Sequence, residues 1–478
     1  MSISASSWLV CSLLLVTLAL GLAGAPLSEQ LLDAVHRGPQ LPSTFELLRF
    51  TADLDAPPGE RFVPIWKAFL EKRGHGAFQA TYKTWHTWEQ LALPELFGNS
   101  STQKATQAAW LEALRVAHHG AFAELTALSK TLQQSATTGG DNPEPLFEVP
   151  ALASLISIYP LTLIATKNGT DTIPSACTST LVRRADGSLL HGRSLDYEPR
   201  DPMAEGTVAI EFQRCGRLEY RCLYTLPYVT ALQWFTCVRP GAFSLSVNAR
   251  GQGIQTEHNT SFSELLRRVQ VPGALLLGEV AELAMQASSF EGALAVLTTS
   301  RVVSSNYFIL AGADKRGAIV TRFGNSSSAD VWAIGDPSDD KIEDGQPSWM
   351  RVQTNVDHWV PFSSGAYATH RRQGAIDLLA HRGQQAMGEQ ALLDVYFTTH
   401  ARAGSQNRTT PEDTGVILRP STIATLVMDP TSKDLASATK SWHVWKTSPN
   451  ILPPQPVLAP ATAAVSSEAF GRAVPIVV

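Results

Sequence analysis

Apolar residues recur along this chain at two different spacings, and the change falls at Cys177. Upstream, residues 45–176 read as mostly helical. Trp110, Leu111, Leu114, Ala117, Ala121, Phe122, Leu125 and Leu128 return at the spacing that builds one apolar stripe on a helix. Leu146 to Ile164 is a second apolar stretch, and the polar, Gly/Pro-rich run Ser135 to Pro145 between them is a loop. Phe50 to Phe62 reads as a turn after a short strand. Downstream of Cys177, strands are expected at Thr207 to Gln213, Leu218 to Leu226, Leu232 to Val238 and Phe243 to Val247. Helices follow at Leu275 to Gln286 and Phe290 to Thr298, the second opened by a capping box, Ser288-x-x-Glu291. Asn306 to Ala311 and Gly317 to Phe323 predict a hairpin, Ala375 to Tyr396 a helix, and Ile423 to Met428 a strand. This alternation suits an α+β fold in which sheets are covered by helices.

The stretch Cys177 to Tyr197 predicts a hairpin of its own. Thr178 to Arg184 and Leu189 to Arg193 are strand-like, and Asp186-Gly187 is a favoured two-residue loop. That loop would set Ala185 opposite Ser188 and Cys177 opposite Asp196, on one face. Arg193 would then point to the other face, unless a bulge or the end of pairing near Ser194 turned it back.

The ends of the chain predict an address. Trp8 to Ala23 is apolar and followed by small residues, so residues 1–23 read as a signal peptide cut near Ala23, with a membrane anchor as the alternative. Five Asn-x-Ser/Thr sequons, at Asn99, Asn168, Asn259, Asn325 and Asn407, agree with secretory passage. Residues 449–478 are Pro/Ala-rich without periodicity and read as disordered or a surface strap. A formal charge of -5 and the lack of any basic run argue against nucleic-acid binding. His118-His119 lies on a predicted helix without metal-ligand spacing and reads as solvated; no metal or cofactor is expected.

Cys177-Thr-Ser, Asp186-Gly187 and His191-Gly-Arg-Ser-Leu-Asp-Tyr197 together resemble the acid ceramidase and N-acylethanolamine acid amidase family. These are N-terminal-nucleophile amidases related to choloylglycine hydrolases. Four further segments resemble the family in order: Phe50 to Phe62, Arg239 to Arg250, Tyr307-Phe-Ile-Leu-Ala-Gly312, and Val352-Gln-Thr-Asn-Val-Asp-His-Trp359 followed by Arg371-Arg372. The likeness runs from about Phe50 to Met428. Asn248 in its segment and Tyr307 to Gly312 lean toward the ceramidase side. Thr369-His370 differs from the family's acidic pair, and Ala176 is smaller than the residue expected before the nucleophile.

The resemblance implies a four-layer αββα fold in residues 177–448, preceded by a mostly helical segment, 24–176. It implies self-cleavage between Ala176 and Cys177, which makes Cys177 the nucleophile and its α-amine the base. Read alone, Cys177 would be a buried apolar cysteine, and Arg193 with Asp196 a surface pair. In the family's pattern Asp196 accepts a hydrogen bond from the amine. Arg193 adds positive charge near sulfur, Asn355 donates to the oxyanion with Asn248 as a second donor, and Arg371 is structural or carboxylate-pairing. His191 and His358 would offer a Cys–His dyad, but an N-terminal amine makes that unnecessary.

The expected activity is hydrolysis of a lipid amide, ceramide first and N-acylethanolamine as the alternative, with transient contact at a membrane surface in the lysosome or outside the cell. A non-catalytic lipid-binding glycoprotein of the same fold is the competing class. No cysteine lies between Cys11 and Cys177, so the two chains are expected to associate non-covalently, through helices such as Trp110 to Leu128 and Leu152 to Ile164. Cys215 and Cys222 flank a short turn and are expected to pair.

Overall fold

In a computed structural model of the chain, the described residues are 43–83, 100–138, 148–149, 177–197, 199–226, 236–250, 262–335, 342–343, 346–361, 367–397, 417–419, 421–439 and 441–446. The principal elements are β1 (Arg49–Asp53), α1 (Val63–Arg73), α2 (Ser100–Ala117), α3 (His119–Thr138), β2 (Thr178–Arg183), β3 (Leu189–Asp196), β4 (Thr207–Arg214), β5 (Arg217–Thr225), β6 (Thr236–Arg239) and β7 (Phe243–Ala249). They continue with α4 (Leu277–Met285), α5 (Phe290–Thr299), β8 (Asn306–Gly312), β9 (Gly317–Arg322), β10 (Ala329–Ala333), β11 (Met350–Gln353), α6 (Tyr367–Arg382), α7 (Glu389–Phe397), β12 (Thr422–Met428) and β13 (Ser441–Val444). Among these elements no helix is long and apolar enough to cross a membrane.

Two sheets stack face to face. The larger runs β1-β4-β5-β6-β7-β8-β9-β10 and the smaller β11-β2-β3-β12-β13. The unbroken apolar run of β8 follows from burial on both faces. Tyr307, Ile309 and Ala311 meet Leu181 and Leu189 of the smaller sheet, while Phe308 and Leu310 join the cluster that holds Ala293 and Leu297 of α5. On the far side of the smaller sheet, Val182 and Leu190 pack with Ile376 and Leu379 of α6 and Leu392 of α7. Helix, sheet, sheet, helix is the order, an αββα arrangement within an α+β fold.

The segment before Cys177 is built into this frame. β1 pairs in parallel with β4, Arg49 beside Ala209 and Asp53 beside Gln213, and so becomes an edge strand of the larger sheet. Phe62 inserts against Phe212 and Tyr224, ring centroids 6.2 and 5.7 Å away. Full burial of such an aromatic stabilises by about 2–3 kcal/mol. Arg61 forms an ion pair with Glu282 of α4.

Several expectations are corrected. The run Trp110 to Leu128 is two helices, broken at His118. His118 is buried rather than solvated: Nδ1 lies 2.7 Å from Glu279 and Nε2 3.1 Å from the Val269 carbonyl. These two partners hold the imidazole in the body of the molecule, while the backbone keeps its bonds from His118 N–H to the Leu114 carbonyl and from Phe122 N–H to the His118 carbonyl. Ala375 to Tyr396 is also two helices, because Gly383 takes φ 75° after α6. The cap of α5 is Ser289, one residue later than expected, its hydroxyl accepting from the Gly292 N–H. Cys222 is bonded to Cys237 and not to Cys215. Cys222 and Cys237 stand directly opposite on β5 and β6, whereas Cys215 lies exposed in the β4–β5 turn. Leu152 to Ile164 and the sequons other than Asn325 lie outside the described residues. Asn325 sits in a turn with φ 60°.

Candidate active site

The turn between β2 and β3 decides which side chains can meet. Arg184 N–H and Ser188 C=O are bonded at 2.8 Å, so the loop has three residues, Ala185 to Gly187, and not two. Gly187 takes φ 82°, a conformation favouring glycine, in that third position. The register moves by one residue: Thr178 pairs with Ser194 and Ser179 with Arg193. Continued one step, it sets Cys177 opposite Leu195. Arg193 therefore shares the face of Cys177 with no bulge at Ser194, and Asp196 turns to the other face. The irregularity near this point is in β12, where Thr422 pairs with Asp196 and Ala424 with Leu195.

Cys177 is fully buried at the start of β2. Arg193 Nη2 lies 3.6 Å from its Sγ. The guanidinium is held by the Val247 carbonyl at 2.6 Å and the Thr236 hydroxyl at 2.7 Å, acceptors that fix it without cancelling its charge. The guanidinium thus sets a positive charge beside the sulfur. His191, next on the same face, stands between the hydroxyls of Ser244 and Ser246, at 3.0 and 2.8 Å. Burial, with Arg193 beside it, lowers its pKa to about 3, so it is neutral across the physiological range and forms no dyad with Cys177. His358 is committed elsewhere, stacked on Trp332 and 3.0 Å from Asp330.

The backbone of Cys177 is gripped by a second pair. Asn355 Oδ1 accepts from Cys177 N at 3.0 Å, and Asn355 Nδ2 donates to the Ala249 carbonyl at 2.9 Å. Arg371 Nη2 donates to Asn355 Oδ1 at 2.5 Å and to the Cys177 carbonyl at 3.2 Å. The group that accepts from the Cys177 backbone nitrogen is thus the Asn355 carbonyl oxygen, and Asn355 Nδ2 is turned to the Ala249 carbonyl. Asn248 is one layer away. Its Oδ1 accepts from Ser179 and its Nδ2 donates to the Gln353 carbonyl, so it serves as a brace.

Asp196 reaches Cys177 only through Arg371. Its Oδ1 accepts from Ser194 at 2.6 Å and Thr422 at 2.7 Å, and its Oδ2 lies 3.9 Å from Arg371 Nη1. Burial raises its pKa, against the opposing pull of Arg371 and the two hydroxyls. Arg371 therefore pairs with a carboxylate, as the family pattern implies, while also holding Asn355.

Sequence motifs do not reveal the support behind Asn355. Asp357 is buried in a bidentate ion pair with Arg250, at 2.7 and 3.0 Å, and accepts from the Tyr307 hydroxyl at 2.7 Å. Asp357 and Arg250 do lie within segments that resemble the family, and a carboxylate two residues from Asn355 was the available signal. Ala176, on the other side of the expected cut, lies outside the described residues.

No protein-family model matches the chain. Among curated proteins, it is 26% identical over 226 residues to an N-acylethanolamine-hydrolyzing acid amidase of Caenorhabditis elegans, covering 47% of this chain and 58% of that one. It is 27% identical over 279 residues to an acid ceramidase of Pan troglodytes, covering 54% and 65%. The matched stretch is thus less than two thirds of either relative. Among solved structures it is similar to the Caenorhabditis elegans N-acylethanolamine-hydrolyzing acid amidase ortholog, with 23% identity and TM-score 0.42, over 56% of this chain and 99% of that one.

Proposed function

We propose that this chain is a cysteine amidase of the acid ceramidase and N-acylethanolamine acid amidase family, activated by cleavage before Cys177. The observation that carries the reading is the guanidinium of Arg193 at 3.6 Å from a buried Sγ whose own backbone nitrogen is held by Asn355. In the uncut chain Sγ attacks the carbonyl of residue 176. The peptide nitrogen leaves as the new α-amine, and water then hydrolyses the thioester. In the cut enzyme the thiol proton passes to that amine as Sγ attacks the substrate amide. The substrate amine departs with the proton, and water releases the fatty acid from the thioester. Arg193 sets a positive charge beside Sγ, Asn355 orients the amine, and Arg371 couples Asn355 to Asp196.

The substrate class we propose is a lipid amide, with ceramide as the first choice, in an acidic compartment reached by the secretory route. The two chains would remain together without a covalent link, because the one disulfide among the described residues, Cys222–Cys237, lies wholly after the cut. The β1–β4 pairing and the Phe62 contact support that association. The test is to incubate processed protein with ceramide and an N-acylethanolamine side by side, with Cys177→Ala as control. N-terminal sequencing should find Cys177 leading the larger-numbered fragment. Full activity in a protein still joined at 176–177 would end this reading, and a non-reducing gel should show two bands.

A further inference from the structure

Asn248 and Ala249 at the end of β7, with Arg250 just past it, bond to alternate residues: Gln353, the last of β11, then Asn355 and Asp357. Asn248 Nδ2 donates to the Gln353 carbonyl at 3.0 Å, and the Ala249 carbonyl accepts from Asn355 Nδ2 at 2.9 Å. Arg250 closes the series with its bidentate pair to Asp357. The last link is the only one of the three made by two charged side chains, and both are buried. It is reinforced from every side. Tyr307 of β8 donates to Asp357 Oδ1, and burial beside that carboxylate pushes the tyrosine pKa far up, so its hydroxyl remains a donor. Arg372 of α6, next to Arg371, donates to the Asp357 carbonyl at 2.8 Å. The Arg250 guanidinium also lies 4.2 Å from the centre of the Phe323 ring.

We propose that Asp357 is a positioning residue that acts through Asn355. By pinning the turn 353–357 to the end of β7 it holds the Asn355 carboxamide at Cys177 N. The proposal rests on the role given to Asn355 above. A rotation of this turn moves Oδ1 off the nitrogen, and misplacement by about 1 Å at a reacting group costs on the order of 100-fold in rate.

The test is a double-mutant cycle on the full chain, with self-cleavage and amide hydrolysis followed together. Asp357→Asn should slow both by about 100-fold in the native background, and by less than about 2-fold when Asn355→Ala is already present, because residues acting as one unit are not additive. Tyr307→Phe keeps the ion pair and the ring volume, and should slow both by about 3- to 10-fold with the same loss of effect in Asn355→Ala. It keeps the test decisive where Asp357→Asn does not fold. Michaelis constants should stay within about 2-fold, since a turn that carries only the amine contact leaves substrate binding intact. Equal losses in both backgrounds overturn the proposal, as they mark a merely structural ion pair. An Asn355→Ala protein with native rates overturns it too, and identifies the role of Asn355 as the failure. Amide hydrogen exchange needs no substrate. Asp357→Asn or Tyr307→Phe should accelerate exchange at 353–357 and leave the β2–β3 hairpin protected, and unchanged exchange in the turn overturns the proposal even where the native protein shows no amidase activity.

Discussion

The β2–β3 hairpin turns two polar faces toward two different neighbours. One face, with Cys177, Ser179, His191 and Arg193, meets hydroxyls, an amide and a backbone carbonyl of the larger sheet. The other, with Thr180, Ser194 and Asp196, meets Tyr396 of α7, Thr422 of β12 and Arg371 of α6. Both faces are buried, one around an arginine and the other around a carboxyl group. The difference is the company each group keeps. The cation beside sulfur is held by neutral acceptors and its near neighbour His191 is kept uncharged, so its field acts on the thiol. The carboxyl group sits on the far side of the strand, where Arg371 stands between it and Cys177. A single strand layer thus separates the arginine beside sulfur from the carboxyl group beside Arg371.

Four substitutions break or sharpen this contrast. The largest effect belongs to the reacting atom: Cys177→Ala should lower amide hydrolysis by about 10⁴-fold or more and leave the chain uncut, as seen by product assay and gel. Arg193→Gln comes next. It removes the cation on the same face, and the hydrolysis rate at saturating substrate should fall by roughly 100- to 1,000-fold, the scale of one charge-stabilising donor in a dry site.

Asp196→Asn tests the orienting face, and a loss of roughly 10- to 100-fold is expected because geometry survives in part. It also carries a pH signature. The folded carboxyl has a raised pKa, so its stabilising contribution is present at low pH and lost as pH rises through the folded value. The variant should therefore gain stability relative to the native protein as melts are taken from acid to neutral. A native-like pH slope in the variant would assign that slope to another group.

His191→Gln has the smallest effect on rate and the clearest effect on acid stability. The native histidine titrates near 3 when folded and near 6.5 when unfolded, so the unfolded state takes the proton first as pH falls. Stability is full above about 6.5 and declines toward 3, by about 2–3 kcal/mol at pH 4.5 from roughly two units of difference. The glutamine variant should lose that acid decline in thermal melts between pH 7 and pH 4. The opposite slopes of Asp196 and His191 make the two faces separable in one experiment.

Part of the fold is legible in the chain because strands such as β8 and β12 are buried along their whole length and carry no charged residue. Asn306–Gly312 and Thr422–Met428 are uninterrupted in this sense and were expected within a residue of where they lie. Ala329–Ala333, with two exposed positions of five, has no such pattern and was not expected. Two helix breaks were missed for different reasons. Gly383 is one of many glycines, and only its backbone angle marks it as a stop. At His118 the side chain engages partners 161 and 151 residues away in sequence, which no local pattern signals.

The residue types of the site, and their placement on one hairpin, follow from the sequence alone: a cysteine at a strand start, an Asp-Gly turn, then arginine and aspartate on the returning strand. Which of them face each other does not. A strand has a period of two, so one extra residue in the turn exchanges every side chain between faces. The Arg184–Ser188 hydrogen bond settles that count, bringing Arg193 to sulfur and sending Asp196 to Arg371. The same holds for Asn355, whose orientation depends on what Ala249 and Cys177 offer it across more than 100 residues of chain and on Arg371, 16 residues on. Local preference chooses the elements, and only the packing of one sheet on another chooses the direction in which each polar atom can be satisfied.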